Sequence, residues 1–101
     1  MEREANNSTQ ASALAVAEAR FPEHVPQVQQ LFRASETFRS MCEDLAAAVE
    51  TLSHVDRLPD RIREARRQEY SGLVDALLDE IEDAIDQAKV VAFRRSGEPK
   101  P

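Results

Sequence analysis

Glycine and aromatic residues are scarce in this chain: 101 residues include two glycines, four phenylalanines, one tyrosine and no tryptophan. Tight β-hairpins depend on Asn-Gly, Asp-Gly or Gly-Gly steps to reach positive φ, and none of these dipeptides occurs. Sustained alternation of β-branched residues is missing as well, so strands are not predicted and the fold class is all-α. The single cysteine, Cys42, excludes an intramolecular disulfide, which fits a reducing compartment. Long apolar runs are also lacking. The sequence opens Met-Glu-Arg-Glu, and the stretch from Ala11 to Ala17 is cut off by Glu18 and Arg20, so neither a secretory signal nor a membrane span is predicted and a cytoplasmic protein is expected.

What is present is helical periodicity. One apolar stripe reads Val28, Leu31, Ser35, Phe38, Cys42, Leu45, Val49, Leu52, and a second reads Tyr70, Val74, Leu77, Ile81, Ala84, Ala88, Val91. Alternating steps of three and four residues hold each set on one side of a helix, so two long amphipathic helices are predicted. Proline suits a first helical turn, which starts the first helix firmly near Pro26, with a looser turn from Pro22, and the second at Pro59. Ser35 is a candidate N-cap that would break the first helix, but the heptad passes through it, and one continuous helix to about His54 is expected. The short link from His54 to Pro59 makes the two helices antiparallel neighbours. Residues 1–21 carry few large aliphatics and are expected to be flexible or weakly helical. Residues 22–92 form the helical hairpin, and residues 93–101 a polar tail without a packing signal.

A resemblance rests on two elements of this pattern. Leu31-Phe32-Arg33-Ala34-Ser35-Glu36-Thr37-Phe38, followed after a linker by Leu77-Leu78-Asp79-Glu80-Ile81, resembles the YdcH-like small helical-hairpin proteins of bacteria. Those proteins carry a leucine, a polar break and a phenylalanine in helix one, and an L-x-D-E-I element late in helix two. The resemblance implies a helical hairpin and no defined biochemical role. The present sequence lacks the lysines that the family carries around the D-E-I element, and it has an extra amino-terminal segment.

Two helices bury one seam, and chains with fewer than roughly 70 structured residues seldom hold a core without oligomerising or acquiring another staple. Leu73, Leu78 and Ile85 widen the second stripe beyond a two-helix contact. An antiparallel homodimer forming a four-helix bundle is therefore expected, with Val74, Leu77, Ile81 and Ile85 as its interface.

Charge is segregated along the second helix. Glu69, Asp75, Asp79, Glu80, Glu82, Asp83 and Asp86 lie between Gln68 and Ala88 without a base, whereas Arg57, Arg61, Arg63, Arg66 and Arg67 precede them beside only Asp60 and Glu64. The helix dipole favours the reverse order by roughly 0.3–1 kcal/mol per charge. Glu43, Asp44 and Glu50 of helix one are the expected compensators within the hairpin, and the acidic body of a second copy the expected compensator between chains.

No constellation for chemistry stands out. The acids lack the Glu-x-x-His elements of di-iron bundles and the glycine-turned loop of calcium sites, so no metal or other cofactor is predicted. Cys42 sits on the stripe as a small buried hydrophobe, His54 suits a helix carboxyl end, and His24 falls in a turn, so an enzyme is not predicted. Arg61, Arg63, Arg66 and Arg67, with a second basic group at Lys89, Arg94, Arg95 and Lys100, are candidate phosphate contacts. A net charge of −6 and few aromatics oppose nucleic-acid binding. The leading reading is a self-associating protein-interaction module that presents Asp79, Glu82, Asp83 and Asp86 to a basic protein. The alternative is a nucleic-acid accessory using the Arg61–Arg67 cluster.

Overall fold

The computed structural model describes residues 2–97, with side chains for residues 11–91. Four α-helices follow one another: α1 (Glu2–Arg20), α2 (Val25–Ala34), α3 (Glu36–Ser53) and α4 (Asp60–Gly97). Short 3-10 turns at Pro22–His24 and Val55–Arg57 join α1 to α2 and α3 to α4. No strand occurs among the described residues, so the all-α expectation holds.

Residues 2–20, read from the sequence as flexible or weakly helical, form a helix that packs against α3. Ala13 and Ala17 are completely buried, and Leu14, Val16 and Phe21 lie beside them. Small side chains four residues apart let the α1 backbone approach its neighbour closely, so a segment poor in large aliphatics still finds tertiary support. The helix stops at Phe21 because the following Pro22 disfavours helical backbone in the residue before it.

The first predicted helix is broken in two. Ser35 is extended (φ −123°, ψ 116°), and its Oγ accepts from the Phe38 amide at 3.1 Å, which makes it the N-cap of α3. On the other side of the break, the Ser35 amide donates to the Leu31 carbonyl at 2.8 Å. Arg39 Nη1 donates to the Phe32 carbonyl at 2.7 Å, and its guanidinium lies 6.0 Å from the Phe32 ring centroid. The Leu31 and Phe32 carbonyls at the end of α2 and the Phe38 amide at the start of α3 thus find partners, and the heptad alone cannot reveal such a break. The break also changes the register, because Phe32 is buried while Leu31 of the predicted stripe is only half-covered.

Leu58 is extended (ψ 154°) ahead of Pro59, whose carbonyl accepts from the Ile62 and Arg63 amides at 3.1 Å each and so starts α4. The short link and the extensive α3–α4 packing give the antiparallel hairpin, with Thr51 and Tyr70 near one end of a shared cleft and Asp44 and Leu77 near the other. α4 continues through residues assigned to the polar tail as far as Gly97; residues 98–101 of that tail lie outside the described residues.

One contiguous core joins Ala13, Ala17, Val28, Phe32, Phe38, Cys42, Leu45, Ala48, Val74, Leu77, Ile81 and Ile85. Val74, Leu77, Ile81 and Ile85, expected to meet a second copy, are instead covered within one chain. The physical reason is that α3 and α2 together cover this stripe within the chain, leaving no apolar line for a second chain to bury. At about 1.5 Å per residue, the 38-residue α4 reaches about 57 Å, roughly twice α3. The molecule is accordingly elongated: its radius of gyration is 16.7 Å, against about 13 Å for an ordinary 100-residue domain.

Urea denaturation followed by circular dichroism tests these assignments. Ser35→Ala is expected to lower the unfolding free energy by about 1 kcal/mol through the lost cap. Ile81→Ala should lower it by about 2–5 kcal/mol through the cavity it leaves. Ala17→Asp should destabilise strongly as well, whereas an unpacked amino-terminal segment would be indifferent to it.

Candidate interaction surface

The surface builds outward from α4. Its core-facing positions Val74, Leu77, Ile81 and Ile85 turn the intervening acids to solvent, and Asp75, Asp79, Glu80, Glu82, Asp83 and Asp86 are all exposed. Asp79, Asp83 and Asp86 follow one another at steps of four and three, with Glu82 beside them, so they form a continuous outer face. Among the described residues, none of these six acids takes part in an ion pair, and no group of three His, Cys, Asp or Glu residues converges as a metal cluster.

The arginines upstream are arranged differently. Arg63 Nη2 donates to the Leu58 carbonyl at 2.9 Å and pairs with Asp60 at 2.8 Å. Arg67 reaches Asp56 at 2.8 Å and Glu64 at 2.7 Å, tying α4 to the turn that precedes it, and Arg66 pairs with Glu69 at 3.1 Å. The positive start of the helix is therefore offset by Asp56, Asp60, Glu64 and Glu69. The expected compensators Glu43, Asp44 and Glu50 form no ion pair among the described residues, because the arginines lie along the turn rather than across the hairpin. Exposed pairs of this kind contribute roughly 0–1 kcal/mol each, and their main effect is to occupy the guanidinium groups.

A second feature lies between the helices. Asp44, Ala47, Ala48 and Thr51 of α3, with Tyr70, Leu73 and Leu77 of α4, wall an open cleft of about 310 Å³. Nothing in the heptads announces it. It exists because alanines at positions 47 and 48 leave room beside Leu73, which is 46% exposed.

Cys42 is completely buried, as its place on the stripe predicts. Burial pushes its thiol up from 9.0 to about 11, and the negative charge of Glu43 adds to the effect. Such a thiol stays protonated and unreactive at neutral pH. His24 is half-buried in the turn after α1, and His54 is exposed at the end of α3, its amide donating to the Thr51 carbonyl at 3.0 Å. Neither histidine lines the cleft between α3 and α4.

The chain matches no protein-family model, no curated protein and no solved structure. The residues that carry the YdcH-like resemblance fall at the α2–α3 break (Leu31–Phe38) and in the middle of α4 (Leu77–Ile81).

Two outcomes are expected for Cys42. A thiol reagent should modify it only as fast as the protein unfolds. Folding stability should decrease as pH rises from about 9 toward about 11, because the unfolded chain releases the thiol proton at its ordinary pKa while the folded chain retains it. Cys42→Ala should remove that part of the slope in alkaline denaturation curves.

Proposed function

We propose that this chain is a self-associating protein-interaction module of the cytoplasm, without chemistry of its own, that offers the acidic face of α4 to a basic protein. The observation that carries this reading is the contrast along one helix. Arg63, Arg66 and Arg67 are all paired inside the chain, whereas Asp79, Glu82, Asp83 and Asp86 stand exposed and unpaired among the described residues. A rigid helix bearing four acids on one face is a ready complement for lysines and arginines of a partner, steering its approach and setting its orientation. The net charge of −6 acts in the same direction at longer range.

The nucleic-acid alternative has less support, since three arginines of its proposed contact set are already engaged. The likeness to YdcH-like hairpins belongs to the same reading, with α2 and α3 as its first arm and α4 as its second.

A fluorescent lysine-rich helical peptide serves as the probe, with anisotropy recorded at low and high salt. Binding is expected to weaken with salt and to fall more than about tenfold when Asp79, Glu82, Asp83 and Asp86 are converted together to Asn or Gln. Changing Arg61 and Arg66 to alanine should leave it intact. Binding that is indifferent to the four neutralisations, or an oligonucleotide bound through the arginines instead, would overturn the reading.

A further inference from the structure

Leu73 is a large hydrophobic side chain left 46% exposed. It stands on the rim of the open cleft between α3 and α4, whose floor is the exposed Ala47 and the buried Ala48 and whose α4 wall continues through Tyr70 and Leu77. Two antiparallel helices leave such a furrow where small residues take the place of large ones, and its shape is one that receives a further helix. Thr51 adds no free donor to it, because its hydroxyl donates to the Ala47 carbonyl at 2.9 Å. The cleft therefore offers apolar contact and calls for an apolar side chain as its occupant.

The charges around the cleft decide what kind of segment carries that side chain. Asp44 lines the end that it shares with Leu77. Glu80 follows Leu73 by seven residues and Leu77 by three, which puts it on the same side of α4, one turn farther on and at that same end. Asp83 comes about 80° round the helix from Leu73, on the side away from the core, so the acidic outer face begins beside the cleft. All three acids are exposed, and none is ion-paired among the described residues. At the opposite end Arg66, seven residues before Leu73, is held by Glu69 at 3.1 Å. An apolar furrow with free negative charge at one end selects an amphipathic segment that carries a cation one turn from its apolar anchor. Another α4 laid on this rim would set acid against acid, and a nucleic-acid backbone would meet the same repulsion.

We propose that the α3–α4 cleft seats a basic amphipathic helix of the partner protein, which inserts a large apolar side chain between Ala47 and Leu73 and sets a lysine or arginine against Asp44 and Glu80. The proposal rests on the preceding reading for the positive charge of the partner, and it adds an apolar contact to the acidic one.

The test titrates the full chain against two fluorescent helical peptides of equal length and equal lysine content, one with leucines at i, i+3, i+4 and i+7 and the other with glutamines there, read by anisotropy. The leucine peptide should bind more than about tenfold tighter, and the difference should survive high salt, which weakens the charged contribution. Ala47→Phe, which fills the cleft, and Leu73→Ser, which removes its rim, should each abolish most of that difference while leaving the glutamine peptide at its native affinity. Asp44→Asn combined with Glu80→Gln should weaken the leucine peptide by about tenfold at low salt. All four positions are exposed, so helix content by circular dichroism should stay at the native level. Equal affinities for the two peptides, or a leucine preference untouched by both Ala47→Phe and Leu73→Ser, would overturn the cleft as the seat. A leucine peptide indifferent to the loss of both carboxylates would overturn the basic character of its occupant. Joint neutralisation of Asp79, Glu82, Asp83 and Asp86 separates the two readings: glutamine-peptide affinity that does not fall would overturn the acidic face, and a leucine preference that persists in that variant would support the cleft.

Discussion

Both α1 and α4 depend on α3 for burial. Three of the six largest completely covered side chains, Phe38, Leu45 and Cys42, belong to α3. They lie in the same core as Ala13 and Ala17 of α1 and Ile81 and Ile85 of α4. Full burial of a leucine, isoleucine or phenylalanine is worth roughly 1.5–3 kcal/mol. A two-helix hairpin would leave part of that gain unrealised on the uncovered side of α3, and α1 closes that side. The amino-terminal helix is thus a structural member of the domain, and its alanines make the contact close.

Once the apolar stripe of α4 is occupied inside the chain, the interaction problem moves to its other faces. The outer face is acidic and unpaired among the described residues, the start of the helix is neutralised by the turn that leads into it, and Leu73 is exposed beside the α3–α4 cleft. These roles follow from angular position on a single straight element that extends well beyond α3.

The break at Ser35 shows how local chemistry overrides periodicity. A heptad register reports which residues share a face if the helix continues, and it is silent about whether the backbone continues. Extended backbone at Ser35 is stabilised by its own hydroxyl on the Phe38 amide and by Arg39 on the Phe32 carbonyl, a bond spanning seven residues. The capping half of this arrangement was legible as a serine before a polar turn. The arginine half was not, because it requires knowing how α3 leaves α2. The exchange of Leu31 for Phe32 in the core follows from the same break.

From the sequence alone came the helical class, the antiparallel pair joined by a short proline-containing link, the burial of Cys42 and the segregation of acids from arginines along α4. Each of these depends on spacing within one segment or on composition, and such properties are local. Tertiary structure decided what covers each face. It placed α1 over α3, took Val74, Leu77, Ile81 and Ile85 into the core of one chain, folded Arg63 and Arg67 back onto the turn, and opened the cleft beside Leu73. Periodicity identifies an apolar face without naming its partner, and here the partner is a segment whose small side chains give almost no hydrophobic signal until they are pressed against another helix.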